Sequence, residues 1–211
     1  WSPVRAVFDH INDLLCRRDD TVWVASNSGL QRLTPAGWLD NGTEEGLPSA
    51  ATRCLYEDRR GRLWVGTGQG VSLYHPHADL DPPRTEIFTA ANPKVPELGS
   101  LVVSFGAVDK WKFTPRRRLL YSYRLDDLDW SPLQEADTVT LTDLSPGRHT
   151  FSVRAADRNG NLDPKPALLA FTVELPWFKE TRLVLIAAVG GAMALFFAVL
   201  AMNRHLRLRR S

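Results

Sequence analysis

Lysine, cysteine and methionine are scarce in this chain of 211 residues: five lysines stand against 21 arginines, with two cysteines and two methionines. The formal net charge is only +2, and the arginines form no stripe interleaved with aromatics. The electrostatic footprint of a nucleic-acid binder is therefore missing, and no nucleic-acid partner is expected. Catalytic signatures are missing too. The sequence has no C-x-x-C, no H-E-x-x-H, no nucleophile elbow and no Ser/His/Asp set that spacing would single out. No catalytic, cofactor-binding or metal-ligating residue is assigned, ligand-binding residues are left open, and the chain is not read as an enzyme. Its length allows one or two domains.

What is present begins with a glycine-rich stretch, "GTGQG" (Gly66–Gly70), directly after the apolar run "LWV". A dinucleotide loop needs G-x-G-x-x-G and then a helix. Position 71 is Val71, and the following "VSLYHPHADLDPP" has no helical period. An internal repeat explains the glycines better. Leu14–Pro35 aligns with Leu55–Pro76 at a constant offset of 41 residues. Leu14/Leu55, Arg18/Arg59, Trp23/Trp64, Val24/Val65, Gly29/Gly70 and Pro35/Pro76 are identical. Ala25 and Asn27 replace Gly66 and Gly68 in the first copy, so the phosphate-loop residues are lost in the duplicate. Each copy reads as strand, tight turn, strand, preceded by a further short apolar piece, "INDLLC" or "TRCLYE". A period of 40–45 residues with three or four strands is the spacing of a propeller blade. Trp23 and Trp64 occupy equivalent strand positions and are read as core.

Thr43–Pro76 resembles the two-component regulator propeller repeat of bacterial sensor ectodomains. The carriers are the "EGLP" turn (Glu45–Pro48), the strand Asp58–Thr67 and the return Gly70–Tyr74. The first copy departs at its turn, where Asp20 replaces the glycine. Two blades cannot close a ring, and the repeat ends after Pro76, so the chain is expected to be the tail of a longer ectodomain or a truncated relative. Cys16 and Cys54 stand three places apart when the copies are superposed. That stagger is on the order of 10 Å along a strand, beyond the ~7 Å a disulfide tolerates. Two buried thiols are expected, with bridging left open.

"HADLDPPR" (His77–Arg84) reads as a solvated linker. His75, His77, Asp79 and Asp81 alternate in a way that could ligate a metal, but no second cluster supports one. From Arg84 to Pro176, six or seven short strands separated by turn signals suggest an antiparallel sandwich of immunoglobulin type. Tyr121–Asn161 resembles the three-tyrosine (Y_Y_Y) domain that follows such propellers. Tyr121, Tyr123, Trp130, Leu144, Pro146, Gly147, Phe151, Val153 and Ala155 match its pattern, while His149 replaces the third tyrosine. Asp126, Asp127 and Asp129 read as a solvated turn before Trp130, and Arg116–Arg118 as an exposed loop.

Leu183–Met202 is a run of twenty residues without a charge. At about 1.5 Å per residue it spans the hydrocarbon thickness of a bilayer. Arg204, Arg207, Arg209 and Arg210 follow it without an acid. Lys179 and Arg182 before it are offset by Glu174 and Glu180, and Trp177–Phe178 sit at an interface position. The positive-inside rule puts the C-terminus in the cytoplasm and residues 1–182 outside, the periplasm of a bacterium with two membranes. Gly190, Ala194 and Ala198, with Ala187 and Gly191 beside them, form a small-residue stripe that permits dimerisation. The alternative is that alanine is simply common in spans. "NRHLRLRRS" is expected to continue the helix or to lie against anionic lipid, and His205 lacks the context of a phosphoacceptor.

The expected fold is mainly β: two partial propeller blades, an immunoglobulin-like antiparallel sandwich and one transmembrane helix. The expected division is blades at 1–76, linker at 77–84, three-tyrosine sandwich at 85–176, interface segment at 177–182, span at 183–202 and basic juxtamembrane segment at 203–211. The resemblance implies the membrane-proximal, periplasmic sensing and relay region of a two-component-type receptor in the bacterial inner membrane. A histidine kinase or diguanylate cyclase output domain would lie beyond Ser211. It further implies a homodimer through ectodomain and span, and a small-molecule or oligosaccharide ligand, with no cofactor. The rival reading is an anchored surface binding or adhesion module without signalling output, or a receptor remnant.

Overall fold

The computed structural model describes residues 10–97, 99–111, 113–175 and 181–208, with helix side chains described over 184–203. The first repeat forms β1 (Ile11–Cys16), β2 (Val22–Ser26), β3 (Gly29–Thr34) and β4 (Gly37–Asn41), an antiparallel meander in that order. The second forms β5 (Thr52–Glu57), β6 (Leu63–Thr67) and β7 (Gly70–Leu73). Each strand of the second starts 41 positions after its counterpart, as 11/52, 22/63 and 29/70. Even the irregularities repeat. The ladder shifts between Ile11 and Asp13 in one copy and between Thr52 and Cys54 in the other. Asp20 takes the left-handed conformation (φ 61°) that Gly61 takes (φ 73°), a conformation aspartate tolerates better than most residues. The turn is thus conserved in shape where it is lost in sequence. "GTGQG" is the β6–β7 hairpin, with Gln69 N–H donating to the Thr67 hydroxyl at 3.3 Å. Gly29 (φ 139°) and Gly70 (φ 152°) hold the one position where both copies keep a glycine. Among the described residues the second sheet has three strands, and the position equivalent to Trp38 of β4 is Asp79 in the segment after β7.

The two sheets pack through one apolar seam, Trp23, Ala25, Leu30, Leu55, Leu63 and Val65. Polar bonds set its register. Asn12 Nδ2 donates to the Thr52 carbonyl at 2.7 Å, Leu55 N–H donates to the Asp13 carboxylate at 2.8 Å, and Ser26 N–H donates to the Thr52 hydroxyl at 2.8 Å. The equivalent tryptophans differ in burial. Trp23 is 1% exposed and meets Tyr74 edge-on at 5.0 Å. Trp64 is half-buried, with its Nε1–H donating to Asp58 and Arg62 lying over its ring. Both cysteines are exposed and unbridged, contrary to the expectation of burial. Strand alternation is the reason: the seam takes Leu15 and Leu55, so the adjoining Cys16 and Cys54 point the other way.

The second β region is a two-sheet sandwich. β8 (Arg84–Ile87), β10 (Leu101–Val108) and β12 (Thr138–Leu141) form one sheet in the order β12-β10-β8. β11 (Leu120–Leu125), β13 (Gly147–Ala156), β14 (Ala167–Glu174) and β9 (Lys94–Pro96) form the other, in the order β11-β13-β14-β9. The first strand is divided between the sheets: β8 pairs antiparallel with β10, and β9 pairs parallel with β14. Alternate residues fill the space between, with Val103, Phe105, Tyr121, Phe151, Val153, Ala155, Phe171 and Val173 all in one buried cluster. The family-pattern residues Tyr121, Phe151, Val153 and Ala155 thus serve as core.

Beyond β14 comes α1 (Thr181–Leu208), so the helix does run on past the apolar stretch. Its window Val184–Asn203 has a mean hydropathy of 2.6 and none of it is buried, and it is long and apolar enough to cross a membrane. Leu185, Ile186, Leu195 and Phe196 expose 60–70% of their surface. Trp177, Phe178, Lys179, Glu180, Arg209 and Arg210, and the side chains of Arg182, Arg204, His205 and Arg207, lie outside the described residues.

Trp23→Ala is expected to cost about 3–5 kcal/mol, the price of emptying a buried aromatic site, and Trp64→Ala less than half as much. Urea unfolding of the two variants followed by circular dichroism checks the asymmetry, and equal losses would contradict the assignment of Trp23 alone to the seam.

Candidate functional site at the junction of blade and sandwich

A third apolar cluster joins Leu39 of β4 to Leu120 and Ala156 of the sandwich, with Leu133 and Leu162 against it. Arg158 crosses beside it. This side chain is 1% exposed. Its Nε donates to the Arg118 carbonyl at 2.6 Å, Nη1 to the Asp40 carbonyl of β4 at 3.2 Å, and Nη2 to the Glu135 carboxylate at 2.5 Å. A buried guanidinium is tolerated only when its donors are met, and here two of them are met by main-chain carbonyls that side-chain substitution cannot remove. Asn41 Nδ2 closes the contact from the blade by donating to the Arg158 carbonyl at 3.1 Å.

Arg116–Arg118 forms a single 3-10 turn in which Arg116 and Arg117 are exposed, as expected, and Arg118 is half-buried. Arg118 reaches the blade, with Nη2 at 3.0 Å from the Glu45 carboxylate and 3.3 Å from the Asp40 carbonyl, while Arg117 pairs with Glu44 at 2.6 Å. Burial pulls the Arg118 guanidinium down, but Glu45, Glu135 and Glu44 outweigh it and hold it above its ordinary value. The charge run thus turns toward the acidic turn Thr43–Glu45 because that turn offers carboxylates.

Arg32 of β3 makes the reciprocal reach. It lies over Trp23 and Tyr74, donates to the Tyr74 hydroxyl at 2.7 Å, and donates to the Asn159 carbonyl of the sandwich. Gly160 permits this approach. A Cβ there would stand 2.6 Å from Arg32 Nη2 and 3.1 Å from Leu39 Cδ1, and its φ of 93° is strained for any other residue. The segment read as a solvated linker is tied down at the same place. Asp79 is 5% exposed, and its carbonyl accepts from Asn161 Nδ2 at 3.1 Å. Beside it Asp157 is fully buried. Burial pushes its carboxyl up against the opposing pull of the Asn161 and Gly160 donors, and the Asp79 charge adds to the rise. His75 and His77 are exposed, and among the described residues no group of three or more His, Cys, Asp or Glu side chains is placed to hold a metal.

Between the two blades and the sandwich lies a cavity of about 300 Å³. Leu30, Leu47 and Val65 make its apolar floor, and Asn41, Glu45, Ser72, Tyr74, His75 and Asn159 bring polar groups to it. Its size is at the low end of small-molecule sites. The sequence marks Glu45 and Leu47 in the repeat's turn, Val65, Ser72 and Tyr74 in its strands and His75 in an alternating His/Asp run, but no pattern joins them to Asn41 and Asn159 as one site.

At the other end of the sandwich His149, in place of the third tyrosine, stacks on Phe171 with ring centroids 5.3 Å apart. Its Nδ1 is 2.8 Å from the Asp126 carboxylate and its Nε2 is 2.7 Å from the Ser145 carbonyl. Both neighbours only accept, so both ring nitrogens donate and the imidazolium form fits the site. The Asp126 contact first, then the Ser145 carbonyl, raises the histidine above its ordinary 6.5. Burial opposes the charge on Asp126, but the Thr150 N–H and His149 outweigh it and lower its carboxyl. Asp126, Asp127 and Asp129 are all exposed, as a solvated turn requires, but Asp126 has φ 52° and its carboxylate also accepts from the Thr150 N–H of β13 at 2.8 Å.

Gly160→Val is expected to lose about 2 kcal/mol, on the scale of one strained backbone position, and to speed hydrogen exchange at the Asn161 amide. Exchange mass spectrometry with chemical denaturation reads both, and unaltered protection would remove Gly160 from the junction. The His149–Asp126 bond adds stability that is full below about pH 6.5 and is lost as pH rises through the raised histidine value. NMR titration of the histidines should find one value above the ordinary range, and Asp126→Asn should bring it down. A His149 value at or below 6.5 would refute the doubly donating ring.

The two component regulator propeller family model matches residues 46–69, and the Y_Y_Y domain model matches residues 112–174. No curated protein matches the chain. Among solved structures, the extracellular domain of BT3049 from B. thetaiotaomicron, named for a hybrid two component system, is 16% identical with a TM-score of 0.46, over 79% of this chain and 26% of that one. The extracellular domain of BT4673 from B. thetaiotaomicron, named for a one component system, is 16% identical with a TM-score of 0.34, over 80% of this chain and 30% of that one. The fibronectin(III)-like modules of CbhA from Clostridium thermocellum are 12% identical with a TM-score of 0.37, over 74% of this chain and 85% of theirs. The chain spans about a quarter of the length of the first of these. The two component regulator propeller match thus falls on the blade formed by β5–β7, and the Y_Y_Y domain match on strands β11–β14 of the sandwich.

Proposed function

We propose that this chain is the membrane-proximal sensing and relay region of a single-pass, two-component-type receptor, with the blades and sandwich in the periplasm and the C-terminus in the cytoplasm. The junction supports this reading most directly. Arg158, Arg118 and Arg32 tie blade to sandwich from both sides, so a displacement of the blades moves the sandwich with them. β14 then leads, within a few residues, to the helix. The blade region, the three-tyrosine domain and the span act as consecutive parts of one relay. The cavity is the place where a small-molecule or oligosaccharide ligand would touch both blades and the sandwich at once. The small-residue stripe Gly190, Ala194 and Ala198 supplies the face on which two spans pair. Catalysis belongs to an output domain outside this chain.

Orientation can be tested with the chain's own thiols, since Cys16 and Cys54 are exposed. In spheroplasts, a membrane-impermeant maleimide is expected to label Cys54 and to leave a cysteine introduced at Ser211 unlabelled until the membrane is permeabilised. The opposite pattern would overturn the topology. A chimera joining the chain to a kinase output then tests relay: Gly160→Val should uncouple output from any ectodomain stimulus without changing membrane insertion. Unchanged coupling would refute the junction as the transmitting element.

A further inference from the structure

The outer face of the β11–β13 pair carries two arginines that the fold leaves without counter-charge. Ser122 is registered against Arg154 and Arg124 against Ser152, so the two arginines are diagonal neighbours on one face. Trp130, brought over by the turn after β11, covers both, with guanidinium carbons 4.9 Å (Arg124) and 4.0 Å (Arg154) from its ring centroid. Both Nε atoms are buried without an acceptor. Neither side chain makes an ion pair or side-chain hydrogen bond among the described residues, and the terminal nitrogens are not among the buried unpaired atoms. They therefore open to solvent at the rim of the tryptophan. Burial, and then the Arg124 charge, pulls the Arg154 guanidinium down, as expected of a like-charged pair with no acid beside it. Leu168, registered against Ser152 on β14, exposes 67% of its surface on the same face.

A planar guanidinium fork matches a carboxylate, and a bridging anion would relieve both the mutual repulsion and the missing acceptors. Trp and Arg are also the residues that most often dominate protein interfaces. The site is a sheet face rather than an enclosed cleft, which suits a polypeptide better than a small acid. We propose that Trp130, Arg124 and Arg154 form a docking hot spot for an acidic segment of a partner protein. Its carboxylates are taken by the open guanidinium nitrogens, and its apolar side chains lie on Trp130 and Leu168.

The test uses the full chain in phosphatidylcholine nanodiscs and a fluorescent hexapeptide of alternating glutamate and leucine, followed by anisotropy at low salt. The peptide is expected to bind, and Arg124→Gln with Arg154→Gln to weaken it about tenfold or more, the scale of a lost charge-assisted bond. Arg154→Lys, which keeps the charge but not the fork, should also weaken it. Arg59→Gln with Arg60→Gln, an equal charge loss at exposed positions of the blade turn, should not. Absence of binding, or an equal loss in the Arg59/Arg60 control, overturns the proposal. So does equal binding of a lysine-leucine peptide. Sedimentation velocity supplies the remaining arm: if the Arg124/Arg154 variant dissolves a self-associated form of the chain, the occupant is a second copy, and a separate acidic partner is ruled out.

Discussion

The buried guanidinium of Arg158 is the constraint on which the arrangement of this chain depends. Removing such a group from water is costly, and the cost is met only if its donors find acceptors in fixed places. Two of those acceptors are main-chain carbonyls, one in the sandwich (Arg118) and one in the blade (Asp40). Shifting the sandwich along the blade would strand a buried charge, which is a steeper penalty than sliding two apolar surfaces. Leu39, Leu120 and Ala156 supply the burial, but the arginine supplies the register. Gly160 and Asn159, in the same turn, complete the fit by letting Arg32 approach from the opposite side.

That division of labour explains what could be read from the sequence. The blade strands were legible because they repeat at a fixed offset and alternate in polarity, and the ladder shift after Ile11 and after Thr52 follows the same rule. The sandwich was legible because Phe151, Val153 and Ala155 alternate with polar neighbours on a single strand. The long apolar helix needed only length and hydropathy to be read. In each case the pattern lies within a few residues, at the range over which a strand or a helix imposes its period.

The junction was not legible, for the same physical reason in reverse. Arg158 meets Asp40 across 118 positions and Arg32 meets Asn159 across 127. Nothing local distinguishes an arginine that will be buried by a distant carbonyl from one that stays solvated. Charged residues usually face solvent, as Arg116 and Arg117 do, but the fold half-buries Arg118 and buries Asp79 against partners that lie far off in sequence. The cysteines failed in the other direction. Residue type favours burial, yet strand parity had already given the inward positions to Leu15 and Leu55.

The two ends of the sandwich are stabilised by different physics. At the blade end the contacts are dense, buried and made largely to main-chain atoms, so they admit one arrangement. At the end where β14 leaves for the helix, the strand is held by main-chain ladders, antiparallel to β13 as far as Val173 and parallel to β9 as far as Glu174, with Val173 in the core. The side-chain pairs there are Lys94–Glu174, solvent-exposed on both sides, and His149–Asp126. Exposed pairs contribute little and are screened by salt. The two ends are thus fixed by different means, guanidinium groups meeting main-chain carbonyls at the blade and strand ladders with a buried Val173 at the exit.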